Sequence, residues 1–197
     1  SVVRKPTTLL LLLVLATFSQ TLRAQQRSSG GGGGGGFWYA VGVAPGWTRV
    51  SCDICAGSRR TGLSASLALG GRTSRVLRIG GELGGWRMSD ENVTQTLLSV
   101  GASAYWYPTS GRNIYLRGGA ALLMHHVNDG TDVVTSSGIG PELGIGYEHA
   151  MSAHWIIAPF VHYSVGVAAG DVKFNGGQAA SSATVSFLQV GVSLTHR

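Results

Sequence analysis

The stretch "IYLRGGAALLMHH" (Ile114–His126) decides how the whole chain is read. Taken every second residue, Ile114, Leu116, Ala120, Leu122 and Met124 make one oily row, and Tyr115, Arg117, Gly119 and Ala121 make the other. Successive side chains of an extended strand point to opposite faces. A half-buried strand of a soluble protein would pack the oily row into a core and leave Arg117 in water. With hydrocarbon against the oily row, Arg117 instead faces the inside of the protein.

The same alternation recurs along the chain. Eight segments carry it: 37–50, 61–71, 75–88, 93–107, 114–126, 137–149, 154–168 and 184–195. None has sustained helical periodicity, and turn-forming strings such as "GGRTS", "SDEN", "PTSGRN" and "VNDGTD" separate them. In the third, Leu77, Ile79 and Leu83 oppose Arg78, Gly80, Glu82 and Gly84. In the sixth, Ile139, Leu143, Ile145 and Tyr147 oppose Gly140, Glu142, Gly144, Gly146 and Glu148. In the seventh, Trp155, Ile157, Val161, Tyr163, Val165 and Val167 oppose Ala158, Phe160, His162 and Ser164. One face always carries the bulk; the other is glycine, alanine and serine with a few charges.

A soluble barrel would have to enclose those small side chains and charges while exposing the bulky row, which is costly on both counts. A transmembrane barrel wants this arrangement, apolar outward and polar inward, with aromatic girdles at the interfaces. Trp38, Tyr39, Trp47, Trp86, Tyr105, Trp106, Tyr107, Tyr147 and Trp155 fall near segment ends, as girdle residues would. A 13-residue strand spans roughly 44 Å, enough to cross a ~25 Å apolar band when tilted by about 40°. The expected fold is all-β: an eight-stranded antiparallel up-and-down transmembrane β-barrel, whose lumen is wide enough only for side chains.

Composition agrees. Of 197 residues only 12% are charged, 31 are glycine, and mean hydropathy is positive. Soluble domains carry about 25% charge. The longest oily run, "LLLLLVLA" at 9–16, is far short of the ~20 residues a membrane-spanning helix needs. It follows Arg4 and Lys5 and precedes Ala24, the layout of a secretory signal peptide over 1–24. Removing that segment takes away Arg4, Lys5 and Arg23 and lowers the formal charge from +6 to +3. No basic cluster beyond Arg59-Arg60 then remains, so no nucleic-acid partner is expected. Residues 25–36, ending in "SSGGGGGGG", read as a flexible linker before a barrel domain at 37–197.

At this point the chain resembles the small bacterial outer-membrane β-barrel proteins of the OmpA/OmpX kind. The final "LQVGVSLTHR" resembles their C-terminal insertion signal through Gln189, Gly191 and Leu194, although His196 and Arg197 stand where a terminal aromatic is usual. The resemblance implies a bacterial outer membrane location, membrane lipids and the barrel-insertion machinery as partners, and both termini on the periplasmic side. Outer loops would be 51–60, 89–92, 127–136 and 169–183, and inner turns 71–74, 108–113 and 150–153.

Five charged residues, Arg78, Glu82, Arg117, Glu142 and Glu148, share the inward faces. In a narrow lumen they read as a network that pairs buried charge, because an isolated buried charge is so costly. A gate or ion path is the other use of such a set. Cys52 and Cys55 in "CDIC" read as a disulfide in an oxidising compartment. His125 and His126 are consecutive, so their side chains diverge and cannot easily share a metal. His162 and Ser164 resemble the His-x-Ser of outer-membrane lipid A deacylases, but Val165 follows where asparagine is usual and no glutamate comes next. The "GGELGG" and "GIGPELGIG" strings open no helix and are not phosphate loops.

The expected role is structural or surface-interacting, non-enzymatic and cofactor-free. A small pore or carrier of apolar ligands, a lipid-modifying enzyme and a soluble lipocalin-like barrel are the alternatives.

Overall fold

The computed structural model describes residues 36–51, 58–90, 93–108, 113–167, 172–175, 177–180 and 183–197. The expected signal segment 1–24, the linker up to residue 35, and Cys52 and Cys55 lie outside the described residues.

Alternating, glycine-rich sequence with frequent valine, leucine and threonine cannot present one apolar stripe on a helix, and it forms strands throughout. Eight long strands build the wall: β1 (Phe37–Ser51), β2 (Arg60–Arg72), β3 (Leu77–Asp90), β4 (Val93–Trp106), β5 (Ile114–Asn128), β6 (Val133–Tyr147), β8 (Trp155–Gly166) and β11 (Thr184–His196). Three short ones, β7 (His149–Ala150), β9 (Val172–Phe174) and β10 (Gly177–Ala180), decorate it. Each long strand pairs antiparallel with its neighbours in sequence, and β1 pairs with β11 to close the cylinder. Closure joins the first and last long strands, so the barrel wall itself has no open edge, which is what hydrocarbon demands.

The closure is staggered. A row of partners from Ala44 runs through Ser64, Trp86, Leu97 and His125 to Ser136 on β6. Beside Ala44 lies Gly191, and its row runs through Phe160 to Gly146, lower on β6. This offset tilts every strand against the barrel axis. The β1–β11 ladder skips Ala44 and Pro45 without changing register, since Val43 meets Val192 and Gly46 meets Gln189. Pro45 has no N–H to give there.

The outward face is the oily one. Leu63 and Leu143 are 70% and 62% exposed, whereas Leu97 and Leu123 are 0% exposed. Val41, Leu67, Leu83, Leu122, Ile139 and Ile145 join the exposed set. A belt of this size is stable only against lipid tails.

Three features differ from the sequence expectation. Strands β5 and β6 run on through most of 127–136, leaving a tight turn in which Asn128 Oδ1 accepts the N–H of Gly130 at 2.7 Å. Gly130 takes the left-handed conformation at φ 90°, which suits glycine. The segment 169–183 holds β9 and β10, and β9 pairs with Val134–Ser136. The aromatic expectation fails for Trp38, Trp86, Tyr105 and Tyr107. Trp38, Trp86 and Tyr107 are buried, and Tyr105 packs edge-on against Trp38 and near Tyr115 inside the lumen. Tyr39, Trp106, Tyr147 and Trp155 do form an outward girdle, at the end carrying both ends of the barrel domain.

Candidate functional site

The lumen is filled by two kinds of side chain, stacked along the axis. Nearest the termini lies a charged clamp. Arg78 grips Glu148 with two guanidinium nitrogens, at 2.7 and 3.2 Å, and Tyr107 donates its hydroxyl to the same carboxylate at 2.8 Å. The Arg78 guanidinium also stacks on the Tyr107 ring, 4.7 Å from its centre. A bidentate pair satisfied this fully needs no water.

One layer up, Arg117 is the hub. It donates to Glu82 at 2.6 Å, to Glu142 at 3.0 Å and to the Ser103 hydroxyl at 3.0 Å, and Ser103 donates in turn to Glu142. Arg117 also lies over the Tyr105 ring at 5.4 Å. A side chain on Gly119 would strike the backbone of Ala102 and Ser103 and the Glu142 carboxylate, so this glycine makes the space for the hub.

From Glu142 a polar chain crosses the lumen. Ser64 donates to the carbonyl of Ala44 at 2.8 Å, so its oxygen accepts from Gln189 Nε2 at 2.9 Å. That fixes the Gln189 carbonyl toward His162 Nδ1, which donates at 3.1 Å. His162 Nε2 then faces Glu142 Oε2 at 3.4 Å, without the alignment of a hydrogen bond. A cavity of about 50 Å³ lies between the clamp and this layer, lined by Trp38, Arg78, Glu82, Tyr115, Arg117 and His162 among others.

Above the polar chain the lumen turns apolar. Trp86, Leu97, Ala121, Leu123, Val185 and Phe187 pack into one buried cluster, with Val50 and Met88 against it. The Trp86 indole reaches over Gly62 on the adjacent β2 to Gly46 on β1 and donates to the Gly46 carbonyl at 2.9 Å. Any side chain on either glycine would meet the indole at under 3 Å. Beyond this cluster, at the loop end, a second cavity of about 220 Å³ opens among Thr48, Val50, Gln95, His125, Val127, Val134 and Ser136.

The structure thus brings Arg78 to Glu148, and Arg117 to both Glu82 and Glu142. His162 and Ser164 are both buried in the lumen, and His162 turns to Gln189 and Glu142. No hydrogen bond joins it to Ser164 among the described residues, so the nucleophile–base contact of a serine hydrolase is not formed there. His125 points into the loop-end cavity while His126 is exposed beside Thr135. The apolar cluster was not anticipated. Its signal was parity: Trp86 has the same parity as Glu82 and Gly84, and Leu123 the same as Arg117 and Gly119.

No protein-family model matches the chain, and no curated protein sequence does. Solved structures do. The attachment invasion locus protein Ail of Yersinia pestis aligns with 13% identity over 80% of this chain and 97% of its own, with a TM-score of 0.48. Outer membrane protein OprG from Pseudomonas aeruginosa aligns with 14% identity over 84% and 97%, at 0.45. Neisserial surface protein A aligns with 19% identity over 82% of this chain and 98% of its own, at 0.52. With Neisserial surface protein A the chain shares its fold, a closed eight-stranded antiparallel barrel.

Proposed function

We propose that this chain is an exported bacterial outer-membrane barrel with a sealed lumen, serving a structural or surface-interaction role rather than catalysis or bulk transport. The apolar cluster around Trp86, Leu97, Leu123 and Phe187 carries this reading. A pore needs a continuous hydrated path, and a dry layer across a side-chain-wide lumen removes it. The charge network below it belongs to the same reading, since each carboxylate has a cation and hydrogen bonds within reach. Bilayer lipid would contact the oily face, and the barrel-insertion machinery would read the last strand. Cleavage after residue 24 and a Cys52–Cys55 disulfide complete the proposal; intact mass of the mature protein checks both.

The decisive measurement is single-channel recording on the refolded full barrel in planar bilayers. The expected trace is flat. Steady unitary currents from the wild type would instead favour the small-pore alternative.

A further inference from the structure

Two buried polar atoms at the loop end have no partner among the described residues: His125 Nε2 and Ser136 Oγ. The two residues are 4% and 2% exposed. They are neighbours across the β5–β6 ladder, with His125 paired to Ser136 in register. Both line the cavity of about 220 Å³ that sits above the apolar cluster. A buried donor or acceptor left unmade is expensive, so two on one wall of one cavity mark a place built to be filled by a polar group.

The rest of the wall says what kind of group. Thr48 and Gln95 add a hydroxyl and an amide, and Arg60 at the rim adds a fixed cation. No aspartate or glutamate is among the described lining residues. The remaining described surface is Ser58, Val50, Val127, Val134 and Val172, and the His125 ring lies 6.4 Å from that of Trp86 in the apolar cluster below. A few convergent polar groups on an otherwise apolar wall are the usual composition of a small-molecule site.

We propose that this loop-end cavity binds a small monocarboxylate with a compact apolar body. The carboxylate accepts from Ser136, from His125 Nε2–H and from Arg60, and the body rests on the valines above the Trp86 layer. The site is a dead end and not a passage, because the apolar cluster closes its floor. It therefore stands apart from the question of conductance: a silent barrel can still bind, and a leaky one can fail to.

Benzoate is a suitable probe, with benzyl alcohol as its neutral counterpart of nearly the same shape. The refolded full barrel, labelled at valine methyls, is titrated with each in detergent micelles. Saturable shifts at Val127 and Val134 are expected with benzoate. Binding should weaken at least about tenfold with benzyl alcohol, and by about tenfold in Ser136→Val and in Arg60→Gln. Arg60→Gln changes an exposed rim residue, so it reports even if the buried variant folds poorly. Shifts that rise linearly without saturating, or that are unchanged in both variants, would mean partition into the micelle and overturn the site. Equal binding of the alcohol and the acid would overturn the assignment to carboxylates.

Discussion

The two halves of the lumen solve the same problem, how to fill a narrow barrel, with opposite chemistry. Near the termini the filling is ionic: Arg78 with Glu148, which also accepts from Tyr107, and Arg117 with Glu82, Glu142 and Ser103. Toward the loops it is a dry cluster of Trp86, Leu97, Leu123, Val185 and Phe187. The ionic half gains geometric definition, because each guanidinium accepts only a narrow set of carboxylate positions. It gains little net stability, because desolvating the ions offsets most of their attraction. The apolar half gains its stability from dispersion and burial, and glycines on the facing strands set its shape. A membrane barrel of this kind is polar inside where its charges are paired, and packs like a soluble core where it has none.

The ionic half is most vulnerable to the loss of a single ion. Arg117→Leu leaves Glu82 and Glu142 buried without their cation, and should lower unfolding free energy by about 3–5 kcal/mol. Urea titration followed by the heat-modifiable gel shift measures it. Replacing Arg117, Glu82 and Glu142 together by apolar residues of similar volume should recover most of that loss. A triple variant as unstable as the single one would show that the network does more than neutralise itself.

The next test separates neighbouring residues on opposite faces. Leu123 is wholly buried in the cluster and Leu122 is 39% exposed on the outside. Leu123→Ala should cost about 2–5 kcal/mol through the cavity it leaves. Leu122→Arg should cost about 2–4 kcal/mol if that face meets hydrocarbon at mid-depth, and close to nothing if it meets water. The same urea titration in lipid vesicles reads both. An unharmed Leu122→Arg barrel would remove the membrane reading altogether.

Period-two alternation made the strands and their faces legible. Leu116 and Arg117 are adjacent, and parity alone sends one to lipid and the other to the lumen. Grouping aromatics by nearness to strand ends misplaced Trp38, Trp86, Tyr105 and Tyr107, because position along a strand says nothing about which face a residue takes. What alternation could not supply was who meets whom. Arg78 and Glu148 are 70 residues apart, and their contact depends on the stagger with which the barrel closes. The same stagger stacks Trp86 over Gly46 and Gly62, which no local pattern announces. The short β5–β6 turn was hidden because Asn128, Asp129, Gly130 and Asp132 all favour loops, while Val127, Val133 and Val134 quietly extend the ladder.

That turn offers the smallest and most local test. The Asp129 carboxylate accepts the backbone N–H of Asp132 at 2.7 Å and of Thr131 at 3.0 Å, which holds its pKa below the usual aspartate range. Asn175 ties the same turn to β9 by donating to Asp132 at 2.8 Å and accepting from the N–H of Val133. For a carboxyl whose folded pKa is depressed, the contribution is fully present above its unfolded value, near 3.9, and is lost as pH falls through the folded value. The Thr131 and Asp132 amides should therefore lose exchange protection, after correction for intrinsic rates, only once the pH drops below the ordinary aspartate range. Asp129→Ala should remove that pH step while leaving global stability unchanged within error. Protection that follows pH in the same way without the carboxylate would mean that the ladder, not the aspartate, closes the turn.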